Sequence, residues 1–202
     1  MPLKELREIK GGAELGIWKL TERVSELESL MSEEVATEKY KRFNHDLRRL
    51  EWLGARALMS KMGLKKTLQY TEHGKPFYPS GPKISISHSK DFIAIIVHPE
   101  NEVGIDVQEV VDKVRRIKHK FCNAHELDWA TSDEDFTIIW SAKEALFKVK
   151  ERNVLFKEDI QVSRPENGQL HITYKESQAY SGVLLSLKDY EGVYVVEDFS
   201  EE

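Results

Sequence analysis

WSAKEALFK, residues 140–148, is the stretch on which the reading of this chain turns. Coiled into a helix at about 100° per residue, it sets Trp140, Lys143, Glu144, Phe147 and Lys148 within one arc and Ala142, Ala145 and Leu146 on the opposite side. A helix that packs for stability alone separates charge from apolar bulk, so two lysines and a glutamate beside two aromatic rings point to a site. By themselves Glu144 and Lys148 are only an i, i+4 pair in the favourable orientation, worth about a few tenths of a kcal/mol on a solvated face. Upstream, VGIDVQ (103–108) alternates as a strand, with Val103, Ile105 and Val107 on one face and Gly104, Asp106 and Gln108 on the other. Asp106 is either solvated at a sheet edge or, if buried, matched by a cation. Gln108 lies about 6–7 Å further along the same face. Oxygens so placed suit Mg²⁺, which keeps several waters and is held by one or two carboxylates plus substrate phosphates. Lys143 and Lys148 are point charges suited to phosphate oxygens, and Trp140 with Phe147 would exclude water around them.

The chain has 202 residues, 40% of them hydrophobic, enough to bury a sizeable core as one large domain or two small ones. Lys plus Arg total 30 against 35 Asp plus Glu, a formal net charge of −5, which excludes a general nucleic-acid binder; an anionic ligand must be held by local basic clusters. Two such clusters are KYKRFNHDLRR (39–49) and DKVRRIKHK (112–120), each of which alone reads as a solvated helix face. The single cysteine, Cys122, leaves no internal disulfide and no cysteine-built zinc site. No apolar run approaches the roughly 20 residues of a membrane helix, and MPLKELREIK is too charged for a secretory signal, so a cytoplasmic protein is expected.

AELGIWKL (13–20) reads as a strand, and Ser25 with Glu28 three residues on carries a capping-box pattern for a short helix. Phe43, Leu47, Leu50, Leu53 and Ala57 recur at three- and four-residue steps, predicting one long helix from about 37 to 62. EHGKPFYPSGPK (72–83) reads as loop, then ISIS and FIAIIV as strands with His88 and Ser89 in the turn between them. Helices at about 113–130 and 135–150 follow, then two or three strands with ENGQ (166–169) as a hairpin turn. The order divides the chain into two similar halves, 1–102 and 103–202.

GKP (74–76), SISHS (85–89), VGIDV (103–107) and WSAKEALFK (140–148), in that order, resemble the motif series of the 4′-phosphopantetheinyl transferases of the Sfp type, within the holo-acyl-carrier-protein synthase superfamily. The resemblance implies an α/β (α+β) fold of two pseudo-twofold halves, each a helix packed on a small, mostly antiparallel sheet, in a monomer. It also implies a Mg²⁺-dependent transfer of the phosphopantetheine arm of coenzyme A to a serine of an acyl or peptidyl carrier protein. Carried over by position, Asp106 and Glu144 become metal ligands, and Lys143 and Lys148 phosphate contacts. Lys75, Ser87, His88 and either Arg48 or Arg49 match positions that hold the adenosine 3′-phosphate end. Glu126 matches a general base, for which Asp106 or a water on the metal is the alternative. Gln108 stands where many relatives have a second acid, so either its amide or a water completes the metal shell, and two protein carboxylates are expected there. The basic run 112–120 would steer an acidic carrier. The competing expectation is a module that binds coenzyme A or a nucleotide without catalysis.

Overall fold

A computed structural model describes residues 2–9, 11–65, 67–151 and 153–197. Its first part comprises β1 (Leu3–Ile9), β2 (Ala13–Lys19), α1 (Val24–Leu30), α2 (Ser32–Val35), α3 (Glu38–Lys41), α4 (Asp46–Lys61), β3 (Gln69–Tyr70), β4 (Pro76–Phe77), β5 (Lys83–Ser89) and β6 (Phe92–His98). Four of these strands form an antiparallel sheet in the order β1-β2-β6-β5, and β3 pairs with β4 in a small hairpin. The second part comprises β7 (Val103–Glu109), α5 (Lys113–Ile117), a 3₁₀ turn (Lys118–Lys120), α6 (Ala124–Trp129), α7 (Asp133–Lys150), α8 (Phe156–Asp159), β8 (Ile160–Val162), β9 (Gln169–Tyr174), β10 (Gln178–Leu187) and β11 (Tyr190–Val196). Its strands form a second antiparallel sheet, β7-β11-β10-β9-β8. This is the α+β architecture expected from the sequence. Each sheet contains a strand followed in the chain by a long helix and an antiparallel pair, and the last strand lies in the middle: β2-β6-β5 in one, β7-β11-β10 in the other.

Each helix covers one sheet face. Leu53, Leu58 and Met59 of α4 pack on Trp18, Ile93 and Ile95, and Phe136, Ile139, Ala142 and Leu146 of α7 pack among Val193 and Val195. The helix-free faces meet in a third core of Leu15, Ile17, Phe92, Ile96, Val103 and Ile105. Each such side chain contributes about 1.5–3 kcal/mol by leaving water. This explains why β6 is buried along its whole length.

The edges of the two sheets, β5 and β7, join through side chains. Ser85, Ser87 and Ser89 lie on one face of β5, and their Oγ atoms accept the backbone N–H groups of Ile105 at 3.1 Å, Val107 at 3.1 Å and Glu109 at 3.2 Å. An unpaired strand edge would leave those donors unsatisfied; the alternating serines of SISHS satisfy them.

Gly104 fixes the approach of α7 to β7. A Cβ there would stand 1.9 Å from the Ala145 carbonyl oxygen, so only glycine lets the helix backbone lie against the strand and bring Glu144 beside Asp106. Gly104→Ala should cost about 3 kcal/mol of stability in urea unfolding. Wild-type stability would mean that the contact is loose.

The structure departs from the sequence reading at several boundaries. The single helix expected over 37–62 is broken between α3 and α4, where Phe43 turns back to stack on Tyr40 and Trp52 and its carbonyl accepts Arg49 Nε at 3.1 Å. The α1 N-cap is Arg23, whose backbone N–H donates to Glu26 Oε2 at 2.7 Å, two residues before the Ser25–Glu28 pair. His88 and Ser89 continue β5 because their backbones pair with Ile93 and Phe92. The helix expected at 113–130 is α5, the 3₁₀ turn and α6. Four strands follow α7, and Asn167 (φ 52°) with Gly168 (φ 78°) makes the ENGQ turn.

Candidate active site

Asp106 lies in β7 with its side chain toward α7, and it is 3% exposed. Its Oδ1 accepts Ser87 Oγ at 3.0 Å and Lys148 Nζ at 2.9 Å, and its Oδ2 accepts Gln108 Nε2 at 2.9 Å. Lys148 also donates to the Ile105 carbonyl at 2.7 Å, so the ammonium is fixed over the strand. Glu144, half-buried one turn before Lys148, takes no hydrogen bond from any described residue. Burial pushes its carboxyl up from the ordinary value, the nearby Asp106 charge adds to that, and Lys148 opposes it. Two carboxylates that repel one another, one buried and one half-buried, could hold a hard cation. Among the described residues no group of three or more His, Cys, Asp or Glu side chains is placed to hold a metal ion, so a divalent ion here would have two protein carboxylates and take its other oxygens from water and substrate. Gln108 presents its amide nitrogen to Asp106; to offer its oxygen, the amide must rotate.

Lys143 and Glu126 do not belong to this cluster, which corrects the expectation of a phosphate contact and a general base. Both are fully buried and paired with each other at 2.8 Å. Lys143 Nζ also lies 2.7–2.8 Å from the carbonyls of Phe121, Phe156 and Ile160. An ammonium has three protons, so none remains for a ligand. Glu126 accepts the N–H groups of Asn123 at 2.8 Å and Val162 at 2.9 Å. Burial pushes the Glu126 carboxyl up and the Lys143 ammonium down, and the attraction between them opposes both. The pair ties α7 to α6 and β8. Trp140 packs on Phe121 and Phe156, and Phe147 on Phe156.

The residues assigned to the 3′-phosphate end lie around two adjoining cavities that share Gly74, Pro76 and Ile86. One, of about 270 Å³, is lined by Arg48, Glu51, Trp52, Arg56, Tyr70 and His88 among others. The other, of about 220 Å³, includes Lys75, Ser85, Phe147, Lys148 and Glu151. Of the two arginine candidates, Arg48 faces the first cavity, whereas Arg49 is held by the Phe43 carbonyl. Ser87 is directed into the β5–β7 seam and donates to Asp106; Ser85, bonded across the same seam, also lines the second cavity. This corrects the assignment of Ser87 to the coenzyme: its hydroxyl is a positioning contact for Asp106.

Several residues were missed from the sequence. Glu51 joins His88 Nδ1 at 3.1 Å and Arg48 at 3.0 Å; burial raises its carboxyl, but these two partners outweigh it and leave it below the ordinary value. Arg56 stacks 3.2 Å from the Trp52 ring centroid, and Lys39 lies 3.5 Å over Tyr70. Arg48 with Glu51 and Trp52 with Arg56 are three- and four-residue pairs within α4 that helix spacing marks, whereas Glu51 with His88 and Lys39 with Tyr70 join separate elements and carry no local signal. Glu102 lies between Lys75 at 2.9 Å and Lys83 at 2.7 Å. Burial raises its carboxyl, and the two lysines more than offset that, leaving it low. A depressed folded value stabilises above the unfolded carboxylate range and is lost as pH falls through the folded value. Glu102→Gln should therefore cost about 1 kcal/mol at pH 7 and little below pH 3, in thermal melts across pH. A pH-independent deficit would contradict this.

No helix among the described residues is long and apolar enough to cross a membrane. Residues 102–196 match the sequence model of the 4′-phosphopantetheinyl transferase superfamily. The chain is 30% identical over 113 residues to a protein named 4′-phosphopantetheinyl transferase AcpT from Salmonella typhi, covering 50% of this chain and 59% of that protein. It is 35% identical over 114 residues to the protein of the same name from Escherichia coli strain K12, covering 50% of this chain and 57% of that one. The chain thus spans less than two thirds of these curated relatives' length. The segment that resembles the 4′-phosphopantetheinyl transferase superfamily opens just ahead of β7 and contains Asp106, Glu144 and Lys148.

Proposed function

We propose that this protein transfers the 4′-phosphopantetheine arm of coenzyme A to a serine hydroxyl of an acyl or peptidyl carrier protein, as a cytoplasmic monomer whose halves, 1–102 and 103–202, enclose the coenzyme. The observation that carries the reading is the convergence of Asp106, Glu144 and Lys148 beside the cavity that holds Lys75. A bound Mg²⁺, held by Asp106 and Glu144 with the Gln108 amide or a water, would supply charge neutralisation on the diphosphate. Lys148 is placed to meet the developing negative charge at the same locus. The serine Oγ forms a bond to the phosphorus nearest the pantetheine, the bridging P–O bond breaks, and adenosine 3′,5′-bisphosphate leaves with the bridging oxygen. The serine proton goes to a carboxylate facing the cleft; with Glu126 saturated, that acceptor is drawn from Asp106 and Glu144.

On the far side of Gln108, α5 presents Lys113 and Arg116, with Val111, Val114, Ile117 and Trp140 forming an apolar floor. Arg116 pairs with Asp112 and Arg115 with Asp133. This face suits an acidic carrier. Arg116→Glu with Lys120→Glu should raise the KM for the carrier about tenfold and flatten its salt dependence, leaving the KM for coenzyme A unchanged. Unchanged carrier kinetics would remove the surface from the proposal.

The test of the activity is the intact mass of an apo acyl carrier protein after incubation with the chain, coenzyme A and Mg²⁺. A phosphopantetheine-sized gain, absent without metal, supports transfer. Coenzyme binding with no gain on acyl or peptidyl carriers would establish the non-catalytic binding module instead.

A further inference from the structure

Lys75 is not a free cation. It stands in the β3–β4 turn, and its Nζ lies 2.9 Å from Glu102 Oε2 and 2.9 Å from Glu151 Oε1. With Lys83 on the other Glu102 oxygen at 2.7 Å, two lysines and two carboxylates form a balanced cluster at the cleft mouth. The hydrogen bonds to both carboxylates raise the Lys75 ammonium above its ordinary value although burial, the largest single influence, lowers it.

Glu151 is the unusual member. It caps the C-terminal end of α7 at φ 66° and ψ −40°, while its N–H still bonds the Phe147 carbonyl at 2.7 Å. That conformation is ordinarily left to glycine, and a side chain there is strained. Local structure therefore favours glycine, and the one evident gain from a glutamate is its reach across the cleft to Lys75. The same side chain lines the cavity of about 220 Å³ together with Lys148, and a neighbouring one of about 250 Å³ with Lys75 and Glu102.

We propose that Glu151 is a positioning residue that sets coenzyme affinity: its carboxylate clasps Lys75 across the cleft and competes with the anionic end of the coenzyme for that ammonium. The proposal rests on the coenzyme A reading above. Glu102 keeps Lys75 oriented when Glu151 is displaced, so binding exchanges one anionic partner of Lys75 for another. A negative wall beside Lys148 otherwise opposes any anion, and the clasp confines that charge until the ligand arrives.

Calorimetric titration of coenzyme A into the wild type, Glu151→Gln, Lys75→Ala and the double variant tests this. Glu151→Gln is expected to bind about three- to tenfold tighter, Lys75→Ala weaker, and the gain from Glu151→Gln should vanish in the Lys75→Ala background. Glu151→Gly should show the same gain in affinity together with a higher thermal midpoint, because glycine relieves the backbone. Unchanged or weaker binding by a folded Glu151→Gln, or a gain that persists in full without Lys75, overturns the clasp alone. A wild type that binds no coenzyme A overturns the coenzyme reading and the clasp with it.

Discussion

Lys143→Met is expected to lower the unfolding free energy by about 3–5 kcal/mol, because it leaves the Glu126 carboxylate buried without its cation. Four oxygens surround the Lys143 ammonium, three of them backbone carbonyls from separate segments. Methionine fills the volume but returns none of those bonds. The deficit should shrink as pH falls, because the Glu126 carboxyl already sits above its ordinary value and, once the lysine is removed, protonates more readily still. Adding Glu126→Gln should recover part of the loss, since the amide keeps a hydrogen-bonding group toward Asn123 and Val162 without a charge. Urea denaturation of the two singles and the double variant measures this as a coupling energy. Were Lys143→Met as stable as wild type and deficient only in catalysis, Lys143 would be a ligand contact as the motif resemblance implied.

Glu144→Gln is the opposite case: transfer should fall about 10³-fold or more while the fold holds. The carboxyl of Glu144 is raised by burial and by Asp106. A folded value above the unfolded one stabilises below the unfolded carboxylate range and is lost as pH rises through the folded value. In metal-free buffer at pH 7, Glu144→Gln should therefore be at least as stable as wild type, and the difference should close as the pH enters the ordinary carboxylate range. A variant that loses stability at pH 7 but keeps full transfer would reverse the assignment.

These two neighbours in one helix show where sequence reading succeeds and where it stops. Glu144, Lys148 and Asp106 are joined in the sequence reading only by the motif resemblance; the two-residue strand period and the four-residue helix step fix which side chains share a face, not that strand and helix touch. The serines of SISHS were legible as one face of a strand, but their task was not: Ser87 looked like a ligand residue and is a seam contact. The long helix over 37–62 carried an unbroken apolar period, yet stacking of Phe43 on Trp52 outweighed the continuity of the backbone. Glu102 and Glu151 carried no local signal, since each answers a cation from another element, and the three-residue spacing of Glu51 from Arg48 did not show its second partner, His88.

What the sequence by itself determined is the chemistry that can meet at one strand–helix contact: the alternation of VGIDVQ turns Gly104 and Asp106 to the same side, and the motif order supplies Glu144 and Lys148 opposite them. What only the tertiary structure decided is which lysine of α7 faces the cleft. Lys143 and Lys148 share an arc of the helix, and local periodicity does not separate them. Three carbonyls and a carboxylate from distant segments enclose Lys143, whereas Lys148 finds Asp106 at the rim of the cavity. A flexible cation goes where buried acceptors would otherwise lack a donor, and those acceptors exist only after the chain has folded.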